Sequence, residues 1–142
     1  MKNAFTLIEL IFVIIIIGIL SAVALPKLAG TAGKAYMVRG KNTIAAVQSA
    51  VATERQKRIL RGEFTNPITK LNGSGGIFTT FDDANGSKVL DRDVQSCTST
   101  GCWETTDGVT YTFHTEDGTC TFKLENNRFV DKTAAPGCSV FQ

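Results

Sequence analysis

A single histidine, His114, is all that this 142-residue chain offers for imidazole chemistry, and no motif around it marks a nucleophile. Metal centres built on two or more histidines are excluded, and nothing in the sequence supports an enzyme. The four cysteines include no C-x-x-C pair, which argues against the usual zinc frameworks. At this length there is no room for a second domain beyond one small head. The largest absence is of charge: between Lys2 and Lys27 only Glu9 is ionised.

That acid interrupts an apolar run. A helix from Phe5 to Leu25 rises about 1.5 Å per residue and reaches about 31 Å, the thickness of a bilayer's hydrocarbon core. A carboxylate placed there costs about 2.5–3.5 kcal/mol, so Glu9 calls for a cationic partner or a role. A secretory signal peptide is the rival reading, with Ser21-Ala22-Val23-Ala24 as its cleavage site, but it leaves Glu9 unexplained. Cleavage after Ala4 would instead free an α-amine on Phe5, one helical turn before Glu9 and on the same face. The first turn is also where the helix dipole favours an anion.

The stretch Ala4-Phe5-Thr6-Leu7-Ile8-Glu9, continued by Gly18 and Pro26, resembles the amino terminus of type IV pilins and type II secretion pseudopilins. The resemblance covers roughly the first thirty residues. It implies cleavage by a prepilin peptidase between Ala4 and Phe5, N-methylation of Phe5, and control of subunit addition by Glu9. It further implies that the region from Gly18 to Pro26 loses helical order in the filament, and that the head lies outside the inner membrane. Ala4 departs from the family, which usually has Gly there.

Beyond Pro26, where a proline can kink a helix, residues 27–61 read as an amphipathic length. Gly33, Met37, Gly40, Ile44, Val47 and Val51 form its stripe, and Gly62 is the expected stop. Gly30, Gly33 and Gly40 serve close backbone packing or are simply tolerated. Asn72 to Gly76 marks a loop, with short strands or turns before Asp93. Farther on, Val109, Tyr111 and Phe113 alternate with polar residues, as do Cys120, Phe122 and Leu124. With Asp107-Gly108, Asp117-Gly118 and Asn126-Asn127 as turns, Trp103 to Val130 predicts an antiparallel meander covering the helical stripe. The expected fold is therefore α+β, the pilin ladle: a leader (1–4), a membrane-spanning and assembly half-helix (5–25), an amphipathic half-helix (26–61) and a disulfide-tied head (62–142).

Cys97, Cys102, Cys120 and Cys138 form an even set suited to an oxidising compartment. Three pairings are possible; Cys97–Cys102 with Cys120–Cys138 closes a small loop and ties the tail to a strand. Positive-inside counting runs the other way, because Lys27, Lys34, Arg39 and Lys41 outnumber Lys2. The cysteines and the resemblance decide for a periplasmic head. Charge is divided: residues 27–61 hold eight Lys and Arg against Glu54, a net +7, whereas residues 62–142 hold six against eleven acids, a net −5. Arg55, Lys57, Arg58 and Arg61 offer a candidate phosphate-binding cluster for DNA, or bases that face acidic heads of neighbouring subunits. Asp82, Asp83, Asp91 and Asp93 are candidate calcium ligands without EF-hand spacing; no other metal or cofactor is expected. Asn85-Gly86-Ser87, with Asp83 two residues ahead, fits a glycosylation acceptor or a plain turn.

These features favour a non-enzymatic structural subunit of a type IV filament. The resemblance supplies its partners: copies of itself, minor pilins or pseudopilins, the prepilin peptidase and an inner-membrane assembly platform. A secretion pseudopilin or a DNA-uptake (competence) pilin is the alternative.

Overall fold

The computed structural model describes residues 5–72, 76–82, 86–92, 94–133 and 136–141. The chain divides into two compact units, Met1–Lys34 and Ala35–Gln142. One helix, α1 (Leu7–Leu60), contributes to both, and Pro26 stands inside it rather than ending it. Gly62 does end it: at φ +81° its N–H donates to Ile59 O (2.9 Å), while Glu63 N–H donates to Arg58 O (2.8 Å). This is the paired 6→1 and 5→2 pattern of a left-handed C-cap, which satisfies two of the orphan carbonyls of the last turn.

In the unit Ala35–Gln142 the amphipathic stripe is the buried face of α1. Gly40, Ile44, Val47 and Val51 are buried and Met37 is partly so. The same three-and-four spacing carries on to Glu54 and Arg58, which are buried as well. Gly40 is retained for close approach: a Cβ there would lie 2.7 Å from the Phe113 ring. At Gly30 nothing lies within 4 Å, so only tolerance explains that glycine within the chain.

The stripe is covered by a four-stranded antiparallel sheet in sequential order, β1 (Trp103–Thr105), β2 (Thr110–Thr115), β3 (Gly118–Glu125) and β4 (Arg128–Asp131). Its register pairs Phe113 with Cys120, Tyr111 with Phe122 and Leu124 with Phe129, so one face is apolar and largely aromatic. The β3–β4 turn has both Asn126 (φ +51°) and Asn127 (φ +59°) in the left-handed region, the two-residue turn whose twist matches a hairpin. Asp107 Oδ1 accepts from the N–H groups of Val109 (2.9 Å) and Thr110 (2.6 Å) and so fixes the β1–β2 turn.

The segment between helix and sheet has no strand among its described residues, only the isolated bridges Ile77–Val94, Thr80–Lys88 and, to the first residue of β1, Ser96–Trp103. It nonetheless supplies the middle of the core. Phe78 stacks on Tyr111 at 4.6 Å and meets Trp103 at 5.3 Å and Phe129 at 5.6 Å edge-on. Tyr111 keeps its phenol neutral, since burial pushes its pKa up, and its hydroxyl donates to Gly108 O at 2.5 Å. Disulfides join Cys97 to Cys102 and Cys120 to Cys138. The second anchors the 3₁₀ turn Pro136–Phe141, whose Phe141 reaches Phe113 and Phe122.

Candidate assembly site

Every large apolar side chain from Phe5 to Leu28 is exposed within the chain, from 77% at Phe5 to 39% at Ile16. Soluble monomers rarely present so continuous an apolar surface. This part of α1 is long and apolar enough to cross a membrane. Gly18 lies within it, and a Cβ there would meet nothing within 4 Å, so its backbone is open to close approach.

Glu9 stands in the first turn of α1. Thr6, just before the helix, is its cap: Leu10 N–H donates to Thr6 O at 3.2 Å, and Glu9 N–H donates to Thr6 Oγ1 at 3.4 Å. The Thr6 hydroxyl in turn donates to Glu9 Oε2 at 3.4 Å. Thr6-Leu7-Ile8-Glu9 thus has the T-x-x-E spacing of a capping box, and the acid sits at the positive end of the helix dipole. The hydroxyl contact is long and solvent-exposed, so it holds the carboxylate loosely. Thr6 is the site residue that sequence reasoning missed. The T-x-x-E signal was present, inside a run conspicuous for its hydrophobicity.

The basic cluster at the other end of α1 is divided by burial: Arg58 is buried, Arg55 half-buried, and Lys57 and Arg61 exposed. Arg58 is buried and fully engaged: Nε donates to Glu54 Oε1 (3.2 Å), Nη1 to Pro67 O (3.1 Å) and Nη2 to Asp82 Oδ1 (3.0 Å). Burial alone would lower its pKa, but Asp82 and Glu54 outweigh that and raise it. Arg61 is shared between Glu63 (2.9 Å) and Glu54 (3.3 Å). Arg55 lies half-buried, with Nη2 on Phe64 O (3.2 Å), and Lys57 is exposed. Two of these ion pairs, Arg58–Asp82 and Arg61–Glu63, join the basic segment 27–61 to the acidic segment within one chain.

Asp82, one of the candidate calcium ligands, is hydrogen-bonded within the same network. Its Oδ2 accepts from both the N–H and the hydroxyl of Thr69, and Oδ1 accepts from Arg58. Burial pulls its pKa upward, but the Thr69 donors and Arg58 together hold it below the ordinary carboxylate range. Asp83, Asp93, the cleavage-site residue Ala4 and the candidate acceptor Asn85 lie outside the described residues. No cluster of three or more His, Cys, Asp and Glu able to hold a metal occurs among the described residues. His114 faces the polar side of the sheet, with Nε2 3.1 Å from Glu104.

Residues 1–25 match the family model described as the prokaryotic N-terminal methylation motif, the signature of type IV pilins and pseudopilins. The match supports a pilin-like or pseudopilin-like protein. Comparison with curated proteins and with solved structures finds no match.

Proposed function

We propose that the chain is a structural subunit of a bacterial type IV pilus: cleaved after Ala4, N-methylated on Phe5, held in the inner membrane with its head in the periplasm, and then assembled through α1. The observation that carries this reading is the bare apolar run from Phe5 to Leu28, helical from Leu7, with one loosely held carboxylate in the first turn. Lipid satisfies the apolar surface before assembly, and neighbouring helices satisfy it afterwards. Exchange of lipid for neighbouring helices removes no further apolar area from water, so association there rests on packing rather than on the hydrophobic effect, and uniform aliphatic packing alone sets register only weakly.

Charge fixes register. A carboxylate carried into an apolar array is uncompensated unless it meets a cation, and the free amine of Phe5 on an adjacent chain is the nearest such group by position in the run. Exchange of the long Thr6 contact for a charge-assisted one favours docking at a single axial offset. An assembly platform and a prepilin peptidase are the implied partners.

Two disulfides in a small head suit a fibre exposed outside the cell, which favours a pilus over a secretion pseudopilin. The internal pairing of Arg58 and Arg61 leaves the DNA-uptake reading only Arg55 and Lys57 of its four bases. The test is to shear surface fibres from cells that express the chain and determine the mass of the mature subunit. Fibres built of chains that begin at N-methylated Phe5 are expected. Loss of protein secretion without surface fibres in a deletion strain would assign the chain to the secretion machine instead.

A further inference from the structure

Between α1 and the β3–β4 hairpin runs an open groove of about 640 Å³, walled by Gln48, Val51, Arg55 and Gln56 on one side and Asn127 and Arg128 on the other. Two guanidinium groups line it and no carboxylate does. Arg55 Nη1 is covered yet has no acceptor, and exposed Arg128 makes no ion pair among the described residues. Asn127 spends its carbonyl on Ile68 N–H (2.6 Å), which leaves its amide as a further donor. Two guanidinium groups that share a groove without a carboxylate repel each other, and an arriving anion offsets that cost. The planar forks of arginine suit a carboxylate.

The matching acids lie at the opposite end of the same sheet. Glu116 and Asp117 form the β2–β3 turn, both exposed and without an ion pair among the described residues. Strand β3 separates that turn from the β3–β4 turn by eight residues, a rise of about 26 Å at 3.3 Å per residue. A donor groove at one end of a sheet and a paired-acid tip at the other cannot satisfy each other within one chain. They can between copies, head to tail, and such a contact is heterologous and propagates into a filament rather than closing a dimer.

We infer that the Arg55–Arg128 groove receives the Glu116–Asp117 turn of a second copy of this chain, and that this contact between heads adds direction and salt sensitivity to the filament. The inference rests on the filament reading, because a propagating contact has a use only in a polymer. It is separate from the amino-terminal contact of Glu9 and can fail alone.

A charge exchange in the full chain tests it, with sheared fibre yield at low salt as the readout. Glu116→Lys with Asp117→Lys, and separately Arg55→Glu with Arg128→Glu, should each lower the yield about tenfold or more. All four substitutions together restore attraction with reversed sign, and the yield should return to within about threefold of the original. Arg55→Gln, which loses the same bond to Phe64 without reversing charge, reports any cost to folding through its melting temperature. Normal yield from either pair, or no recovery in the quadruple variant while its melting temperature is unchanged, overturns the proposal. So does a groove variant that loses binding to duplex DNA or anionic vesicles while the turn variant builds fibres normally, since the groove would then serve phosphate. Absence of fibres from the unaltered chain would instead refute the filament reading itself.

Discussion

Replacing Gly40 with alanine should destabilise the head although alanine is the better helix former. The new Cβ would lie 2.7 Å from Cε1 and Cζ of Phe113 and 3.2 Å from Cε2, where carbon atoms normally rest about 3.5–4.0 Å apart. The ring must therefore retreat by about 1 Å. It has nowhere to go: Phe113 is fully buried, with Trp103 at 4.9 Å and Phe141 at 5.7 Å. Overpacking of this kind costs about 1–3 kcal/mol, and the Gly-to-Ala gain in helix propensity offsets about 1 kcal/mol of it. With the ring boxed on two sides the upper part of that range applies, for a net loss of about 1–2 kcal/mol. In a unit the size of this head the melting temperature should fall by about 5–15 °C. Near-ultraviolet circular dichroism of the full chain in detergent, read through Trp103, follows the transition. Gly30→Ala is the control, because its Cβ meets nothing within 4 Å and the same substitution should there be neutral or stabilising. If Gly40→Ala raises the melting temperature as Gly30→Ala does, the packing account of Gly40 is wrong.

Two further outcomes follow from the Arg58 network. Arg58→Met leaves Glu54 buried with only Arg61 and strands Asp82, which should cost about 3–5 kcal/mol in urea unfolding; a loss under about 1 kcal/mol would show that the network is worth little. The folded-state pKa of Asp82 is depressed, so its contribution is fully present above the unfolded value of about 3.9 and is lost as pH falls through the folded value. Asp82→Asn should therefore flatten the acid limb of stability below about pH 4, and an unchanged limb would assign it to other carboxylates.

The sheet was legible from sequence because two signals agreed. A period of two placed Tyr111, Phe113, Cys120, Phe122 and Leu124 on one face, and turn residues at Asp107-Gly108 and Asn126-Asn127 bounded the strands. The helical stripe was legible as far as Val51 and then failed, because Glu54 and Arg58 continue it with charged side chains that read as solvated. Only the tertiary arrival of Asp82 and the Pro67 carbonyl makes their burial tolerable. The segment from Gly62 to Cys102 was legible only as loop and short strands or turns, and its packing was hidden for another reason. Its buried residues, among them Leu71, Ile77, Phe78, Phe81 and Val89, follow no period, and Phe78 takes a left-handed φ of +57° that its bulk disfavours. The candidate site at Glu9 was conspicuous as a lone charge, whereas its Thr6 partner was hidden among apolar neighbours.

Under the proposed function the charge of Glu9, rather than its place in an apolar helix or its contact with Thr6, directs assembly. Glu9→Ala removes the charge and its insertion cost of about 2.5–3.5 kcal/mol while keeping the apolar surface, so the membrane pool should be undiminished. Thr6→Val removes the cap alone and separates capping from charge. The decisive measurement is sheared fibre yield relative to the membrane pool of processed subunit, taken for both variants. The account predicts that Glu9→Ala accumulates in the membrane, processed and folded, without building fibres, while Thr6→Val still builds them. Fibres formed by Glu9→Ala at the normal rate would contradict it.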